Sequence, residues 1–182
     1  MFYKIDIDGL QRDLPICRVT DDLYIGAFIM FGDVELTEHC AKKLLEKVPD
    51  FDYIVTPEAK SIPLAYEMSK QSGKQYVVAR KATKAYMKEP FMVNVKSITT
   101  MNTQLLVLDK VEAELIKGKR ILIVDDVIST GESLKATEEL VKKAEGNIVA
   151  KVAPLAEGDA CDRKDIIFLQ KLPLFDKNGN IL

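Results

Sequence analysis

The stretch ILIVDDVISTGES, residues 121–133, runs four apolar residues straight into two adjacent carboxylates, Asp125 and Asp126, and follows them with Ser129, Thr130, Gly131 and Ser133. An unbroken apolar run is what a strand buried on both faces requires. Like charges at the tip of such a strand are costly unless something there makes use of them. Gly131 permits a tight turn and a close approach of ligand to backbone. The hydroxyls of Ser129, Thr130 and Ser133 add to a fan of backbone N–H groups opening a helix, which the pattern predicts over 131–145. A helix N-terminus with unpaired N–H groups is a site for phosphate. The carboxylates would repel that phosphate if they faced it, so they suit a neutral partner such as two vicinal hydroxyls, or a hydrated Mg²⁺. A phosphate beside a diol describes a ribose 5-phosphate. The competing reading is structural: Ser129 or Thr130 caps the helix and the acids favour its dipole.

Outward from this loop, strand and helix patterns alternate. YKIDI, ICRV and LYIGAFIMF read as strands of an N-terminal β-rich portion, and an amphipathic helix is predicted over 35–48. A strand at 52–56 leads through PEAK to a helix at about 61–71, closed by Gly73, and then to a strand at 75–80. VNVKSIT and TQLLVLD suit a hairpin turning at 100–102, followed by a short helix ending at Gly118. After the helix at 131–145, IVAKVAPLAEG and DIIFLQ supply further strands. Strands separated by helices of this length imply βαβ units and a mostly parallel sheet. In such sheets ligands sit at the carboxyl ends of the strands, which selects the loops 57–60, 81–84 and 125–130.

With 182 residues, 47% of them hydrophobic and 30% charged, and a net charge of −2, the chain reads as one domain with no surface for nucleic acid as its main business. No apolar run approaches the roughly 20 residues a bilayer demands, and no signal-peptide pattern opens the chain, so the expected location is cytoplasmic. Cys17, Cys40 and Cys161 lack metal or CxxC spacing and are expected as reduced thiols. His39, the single histidine, falls inside a predicted helix, where a structural role is expected.

The stretch 121–133 resembles the ribose-phosphate signature of type I phosphoribosyltransferases, enzymes that use 5-phosphoribosyl-1-pyrophosphate (PRPP). The resemblance implies that Asp125 and Asp126 take the ribose 2- and 3-hydroxyls. It assigns the rest of the loop, Val127, Ile128, Ser129, Thr130, Gly131, Glu132 and Ser133, to the sugar phosphate, with the hydroxyls of Thr130 and Ser133 on the 5-phosphate. Glu58, Ala59 and Lys60 are similar to the Glu-Ala-Arg-Gly pyrophosphate loop of adenine phosphoribosyltransferases, with Lys in place of Arg and Ser61 in place of Gly. Lysine keeps the charge and loses the bidentate fork. Arg80, Lys81 and Lys84 resemble the Arg-Lys-x-x-Lys stretch of the same enzymes, in which a lysine reaches pyrophosphate, commonly across a dimer interface. Taken alone, PEAK is a plain helix start and RKATK a solvated basic loop.

The fold the resemblance implies is α/β, a mostly parallel central sheet flanked by helices. A small β-rich hood, from about 1–34 and 158–182, is expected on a PRPP-binding core of about 35–157, all within one domain. It implies purine salvage, adenine favoured, with PRPP and a purine base as ligands and a homodimer as the assembly. Mg²⁺ is expected to travel with PRPP, reaching Asp125 and Asp126 through water, with no residue assigned as a direct metal ligand. Neither nucleic acid nor membrane is an expected partner.

The resemblance leaves the base side open. The 6-oxopurine enzymes carry an Asp where this chain has Ser129, and adenine enzymes carry a proton-donating Glu in a flexible lid, here about 87–103, near Thr100. Glu89 is the only acid in that lid, so the catalytic acid or base is unassigned. Phe28, Phe31 and Phe175 are aromatic candidates for the hood, none singled out. Two alternatives stand: a non-catalytic PRPP-binding regulator, and an enzyme for xanthine, hypoxanthine or guanine.

Overall fold

The computed structural model describes residues 1–96 and 103–182. Its central element is a parallel sheet of β4 (Tyr53–Pro57), β5 (Gln75–Ala79), β8 (Arg120–Val124), β10 (Asn147–Glu157) and β11 (Ile167–Leu172), in the order β11-β10-β8-β4-β5. A two-residue strand, β9 (Val127–Ile128), pairs with the end of β10. β8 shows why the apolar run decides the fold. Ile121 and Ile123 point into a core shared with α3 (Lys110–Ile116) and α4 (Glu132–Lys143), while Leu122 and Val124 enter the opposite core with α1 (Val34–Leu45) and α2 (Ile62–Ser72). Each of these four side chains is buried to 1% exposure or less, worth about 1.5–3 kcal/mol apiece.

A second sheet, antiparallel, joins β1 (Phe2–Ile7), β2 (Leu10–Arg18), β3 (Tyr24–Gly26) and β12 (Leu174–Phe175) in that order. It packs on the α1 side of the parallel sheet through Ile5, Ile7 and Leu14. His39 on α1 donates from Nε2 to the Ile7 carbonyl at 2.8 Å, a structural tie between the two layers. The run 23–31, expected as one strand, pairs only over Tyr24–Gly26. Beyond it Phe28 and Met30 are buried by packing with no ladder. Of the segment 158–182, β12 joins the antiparallel sheet, whereas β11 pairs in parallel with β10 and belongs to the central sheet.

The antiparallel pair β6 (Phe91–Lys96) and β7 (Thr103–Leu108) forms the expected hairpin, and its turn lies outside the described residues. Arg80 and Val107 exchange backbone hydrogen bonds, fastening the hairpin to the end of β5. Lys143 of α4 donates to the Met92 carbonyl at 2.7 Å and sits 5.0 Å from the centre of the Phe91 ring.

The order of the sheet fixes the site. The chain leaves β4 toward β5 in one direction and leaves β8 toward β10 in the other, so winding reverses between β4 and β8. The crevice beyond the carboxyl ends of two such strands is where open α/β sheets bind ligands. There the loops 58–61 and 125–131 face each other.

Candidate active site

Asp125 and Asp126 are 7% and 5% exposed at the end of β8. The Asp125 carboxylate accepts from the Asp126 N–H at 2.9 Å. Burial, and then the neighbouring Asp126 charge, raise the Asp125 pKa well above the ordinary carboxylate range. Asp126 Oδ2 is shielded from solvent and has no aligned hydrogen-bond donor, although Lys60 Nζ lies 3.0 Å away. Lys60 comes from the facing loop and stays 58% exposed, an accessible cation over a buried carboxylate.

The loop after the acids closes on Gly131, which takes φ +79° and stands at the N-cap of α4. Gly131 has no side chain to cap that helix, and Thr130 Oγ1 accepts a long hydrogen bond of 3.5 Å from Glu132 N. Asp125, Val127, Ile128, Ser129, Thr130, Gly131, Glu132 and Ser133 together wall a cavity of about 140 Å³, roughly the size of a phosphate with part of a sugar. Ile128 serves both this wall and the core. The Arg163 guanidinium packs against Gly131, with Nη1 2.6 Å from where a Cβ on that glycine would stand.

In the facing loop the Glu58–Ala59 peptide is cis. Thr56 donates to Ser61 Oγ at 2.8 Å, and Ser61 donates to the Pro57 carbonyl at 3.1 Å, holding the loop from beneath. Glu58 accepts from the Lys81 N–H at 2.9 Å, and Lys84 Nζ stands 4.0 Å from its carboxylate. The backbone hydrogen bond from Lys81, then the charges of Lys84, Arg80 and Lys81, hold Glu58 below the usual carboxylate range. The loops 58–60 and 80–84 therefore form one unit. The Arg80 guanidinium faces the Tyr86 ring at 5.9 Å, and its Nε is buried with no hydrogen-bond partner among the described residues.

A second cavity, of about 400 Å³, adjoins the first and lies between the two sheets. Val127 and Ser129 line both. Its other walls are Ile25–Ile29 and Leu172, with Lys60 and Glu157 as the charged groups. Of the three aromatic candidates, Phe28 lines this cavity, Phe31 is exposed, and Phe175 is buried against Tyr3 with ring centres 5.0 Å apart. Glu157 was not among the expected site residues. At the end of an apolar run it reads as an ordinary strand terminus, and only the pairing of β9 with β10 carries it to the site. Glu89 is exposed and pairs with Lys110, away from both cavities, and Thr100 lies outside the described residues.

An α/β sheet with its phosphate-sized loop at the switch point, and a second cavity beside it, defines a nucleotide- or sugar-phosphate-binding protein. The profile of the phosphoribosyl transferase domain family matches residues 34–178, and the chain belongs to that family. It is 31% identical over 155 residues to the adenine phosphoribosyltransferase of Thermosipho africanus, covering 80% of this chain and 84% of that one. It is 38% identical over 148 residues to the enzyme of that name from Thermotoga petrophila, covering 80% and 84%. A hypoxanthine/guanine phosphoribosyltransferase from Methanococcus voltae is 36% identical over 126 residues, covering 69% of this chain and 64% of its own. The fold superposes on the crystal structure of adenine phosphoribosyltransferase from Thermoanaerobacter pseudethanolicus with a TM-score of 0.67 at 21% identity, covering 94% of this chain and 95% of that one. The chain is thus a type I phosphoribosyltransferase, most similar to the adenine enzymes.

Proposed function

We propose that this protein transfers the 5-phosphoribosyl group of PRPP to a purine base, adenine favoured, giving the nucleoside monophosphate and pyrophosphate. The observation that carries the reading is the meeting, at one switch point, of a buried Asp125–Asp126 pair, an uncapped helix start at Gly131 and the Lys60 ammonium 3.0 Å from Asp126. Asp125 and Asp126 accept from the ribose 2- and 3-hydroxyls, and the amides of 129–133 with the hydroxyls of Thr130 and Ser133 hold the 5-phosphate. Lys60, with Arg80, Lys81 and Lys84, receives the pyrophosphate, while Glu58 ties those loops together. The base attacks C1 as the C1–O bond to pyrophosphate breaks, and the base N–H proton passes to solvent or a nearby acceptor. Fixed positions and charges lower the barrier for the departing anion.

Two buried carboxylates, one with an undonated oxygen, fit a hydrated Mg²⁺ carried on the pyrophosphate. That ion would neutralise charge on the leaving group, with Asp125 and Asp126 holding its water. Among the described residues no helix is long and apolar enough to cross a membrane, and three free thiols, one exposed at Cys17, suit a reducing compartment such as the cytoplasm. A homodimer suits the exposed apolar side chains of Ile29, Phe31, Val34 and Tyr66, which a second copy would cover.

The test is incubation with PRPP, Mg²⁺ and an equimolar pool of adenine, hypoxanthine, guanine and xanthine, with mass spectrometry of the products. AMP as the main product, lost in Asp125→Ala/Asp126→Ala, is the expected result. A 6-oxopurine nucleotide instead would reassign the base. Saturable PRPP binding without any nucleotide would replace the transferase reading with a PRPP-binding regulator.

A further inference from the structure

The base-side cavity has an acid on its wall that the sugar-phosphate reading does not use. Glu157 ends β10 and is 8% exposed, although it is a carboxylate. Its side chain shares the face of β10 that carries Leu155, because strand side chains alternate, and so it points toward the antiparallel sheet and the 400 Å³ cavity. Ser129 is its neighbour: β9 pairs Val127 with Leu155 and Ile128 with Ala156, and the next step of that register sets Ser129 beside Glu157. Burial pushes the Glu157 carboxyl up, and the adjacent Ser129 side chain opposes that shift. Ser129 also lines the phosphate cavity, so the pair stands where the two cavities join. Among the described residues the one other charged side chain of the base-side lining, Lys60, pairs with Asp126.

A carboxylate on the wall of a cavity offers its acceptor oxygens to whatever occupies it. We infer that Glu157, beside Ser129 at the join of the two cavities, reads the base by accepting a hydrogen bond from an exocyclic amine, and so selects 6-aminopurines over 6-oxopurines. An oxo group in the same place sets oxygen against oxygen and leaves the buried acceptor without a donor. This rests on the proposed phosphoribosyltransferase function and adds the residue that sets its base preference.

The test is calorimetric binding of AMP, IMP and ribose 5-phosphate to the full chain and to Glu157→Leu and Glu157→Gln. Ribose 5-phosphate reports the phosphate loop alone, and the AMP-to-IMP affinity ratio reports Glu157. Glu157→Leu is expected to bind ribose 5-phosphate as the unaltered chain does while the ratio falls by about tenfold or more. Glu157→Gln is expected to keep the preference for AMP, since its amide oxygen accepts the same hydrogen bond. An unchanged ratio in Glu157→Leu overturns the assignment, as does equal loss in both variants. If the unaltered chain binds ribose 5-phosphate no better than Asp125→Ala/Asp126→Ala, the proposed function fails and this inference with it.

Discussion

Lys60 reaches across the crevice from the loop after β4 and places its ammonium 3.0 Å from Asp126 Oδ2, an oxygen without an aligned hydrogen-bond donor. The two partners differ sharply in exposure, 58% against 6% for the side chains, so the ammonium is open to an incoming anion while the carboxylate is buried. Pyrophosphate is the anion the reading supplies. Lys60→Ala is expected to raise KM for PRPP by about 10-fold or more, the scale of a lost charge-assisted hydrogen bond. AMP, which has no pyrophosphate, is expected to lose far less affinity. Parallel PRPP kinetics and AMP calorimetry check this, and an equal loss for both ligands would count against a pyrophosphate contact.

With the proposed role of Asp125 in ribose binding, function and stability pull in opposite directions at this residue. Its folded pKa is raised, by burial first and the Asp126 charge second, so the folded chain holds this proton more tightly than the unfolded chain does. The corresponding stability is present below the unfolded value near pH 4 and is lost as pH rises toward the raised folded value. Asp125→Asn is expected to stabilise the ligand-free protein by about 1–3 kcal/mol at pH 8 and by much less at pH 4. The same change is expected to weaken ribose 5-phosphate binding. Thermal melts across this pH range, with and without ribose 5-phosphate, separate the two effects. A destabilised Asn variant at pH 8 would contradict the raised pKa.

Gly131 is constrained twice. Its φ of +79° disfavours any side chain, and a Cβ there would stand 2.6 Å from Arg163 Nη1. Arg163 cannot retreat without cost, because Nε and Nη2 hold Asp165 at 2.9 and 2.7 Å. Gly131→Ala is expected to lower stability by about 1–3 kcal/mol and to weaken ribose 5-phosphate binding by about tenfold or more. Adding Arg163→Ala removes the crowding and leaves the backbone strain, so the double variant is expected to recover only part of the stability. Chemical denaturation of the single and double variants measures both contributions.

What was legible in the sequence, and what was not, follows from how local each signal is. The run 121–124 declares a two-faced buried strand by itself, and the loop behind it carries its own turn and helix start. The loops 57–60 and 81–84 were legible because strand ends in a parallel sheet converge by rule. Glu157 was not, since an acid closing an apolar run looks like any strand end until β9 sets it beside Ser129. The run 23–31 misled for a related reason: burial of Phe28 and Met30 produces the same apolar pattern whether the backbone is laddered or lines a cavity. β11 went to the hood on position in the chain, whereas its parallel pairing with β10 is a long-range choice that periodicity does not encode.

Arg12 adds a charged tie between the hood and the start of α1. From β2 its guanidinium holds Asp33 with two hydrogen bonds, Nε to Oδ2 at 2.7 Å and Nη2 to Oδ1 at 2.9 Å, and reaches Glu35 at 2.8 Å. Asp33 in turn accepts from Leu36 N at 3.0 Å and caps α1. The guanidinium first, and the Leu36 N–H with it, hold the Asp33 carboxyl below its usual range against the opposing effect of burial. A depressed folded pKa contributes stability above the unfolded value that is lost as pH falls through the folded one. Arg12→Met keeps the side-chain bulk and removes the tie. It is expected to cost about 1 kcal/mol at pH 7, the scale of a partly exposed ion pair, with the deficit shrinking below about pH 4 as Asp33 is protonated in the variant and in the unfolded chain. Because β2 and β3 carry residues 25–29 to the cavity wall, KM for the purine is expected to rise while KM for PRPP stays near its original value. Melting temperatures at pH 7 and pH 3.5, beside steady-state kinetics for both substrates, check the two halves. Equal changes in the two KM values would mean that the hood does not set base binding.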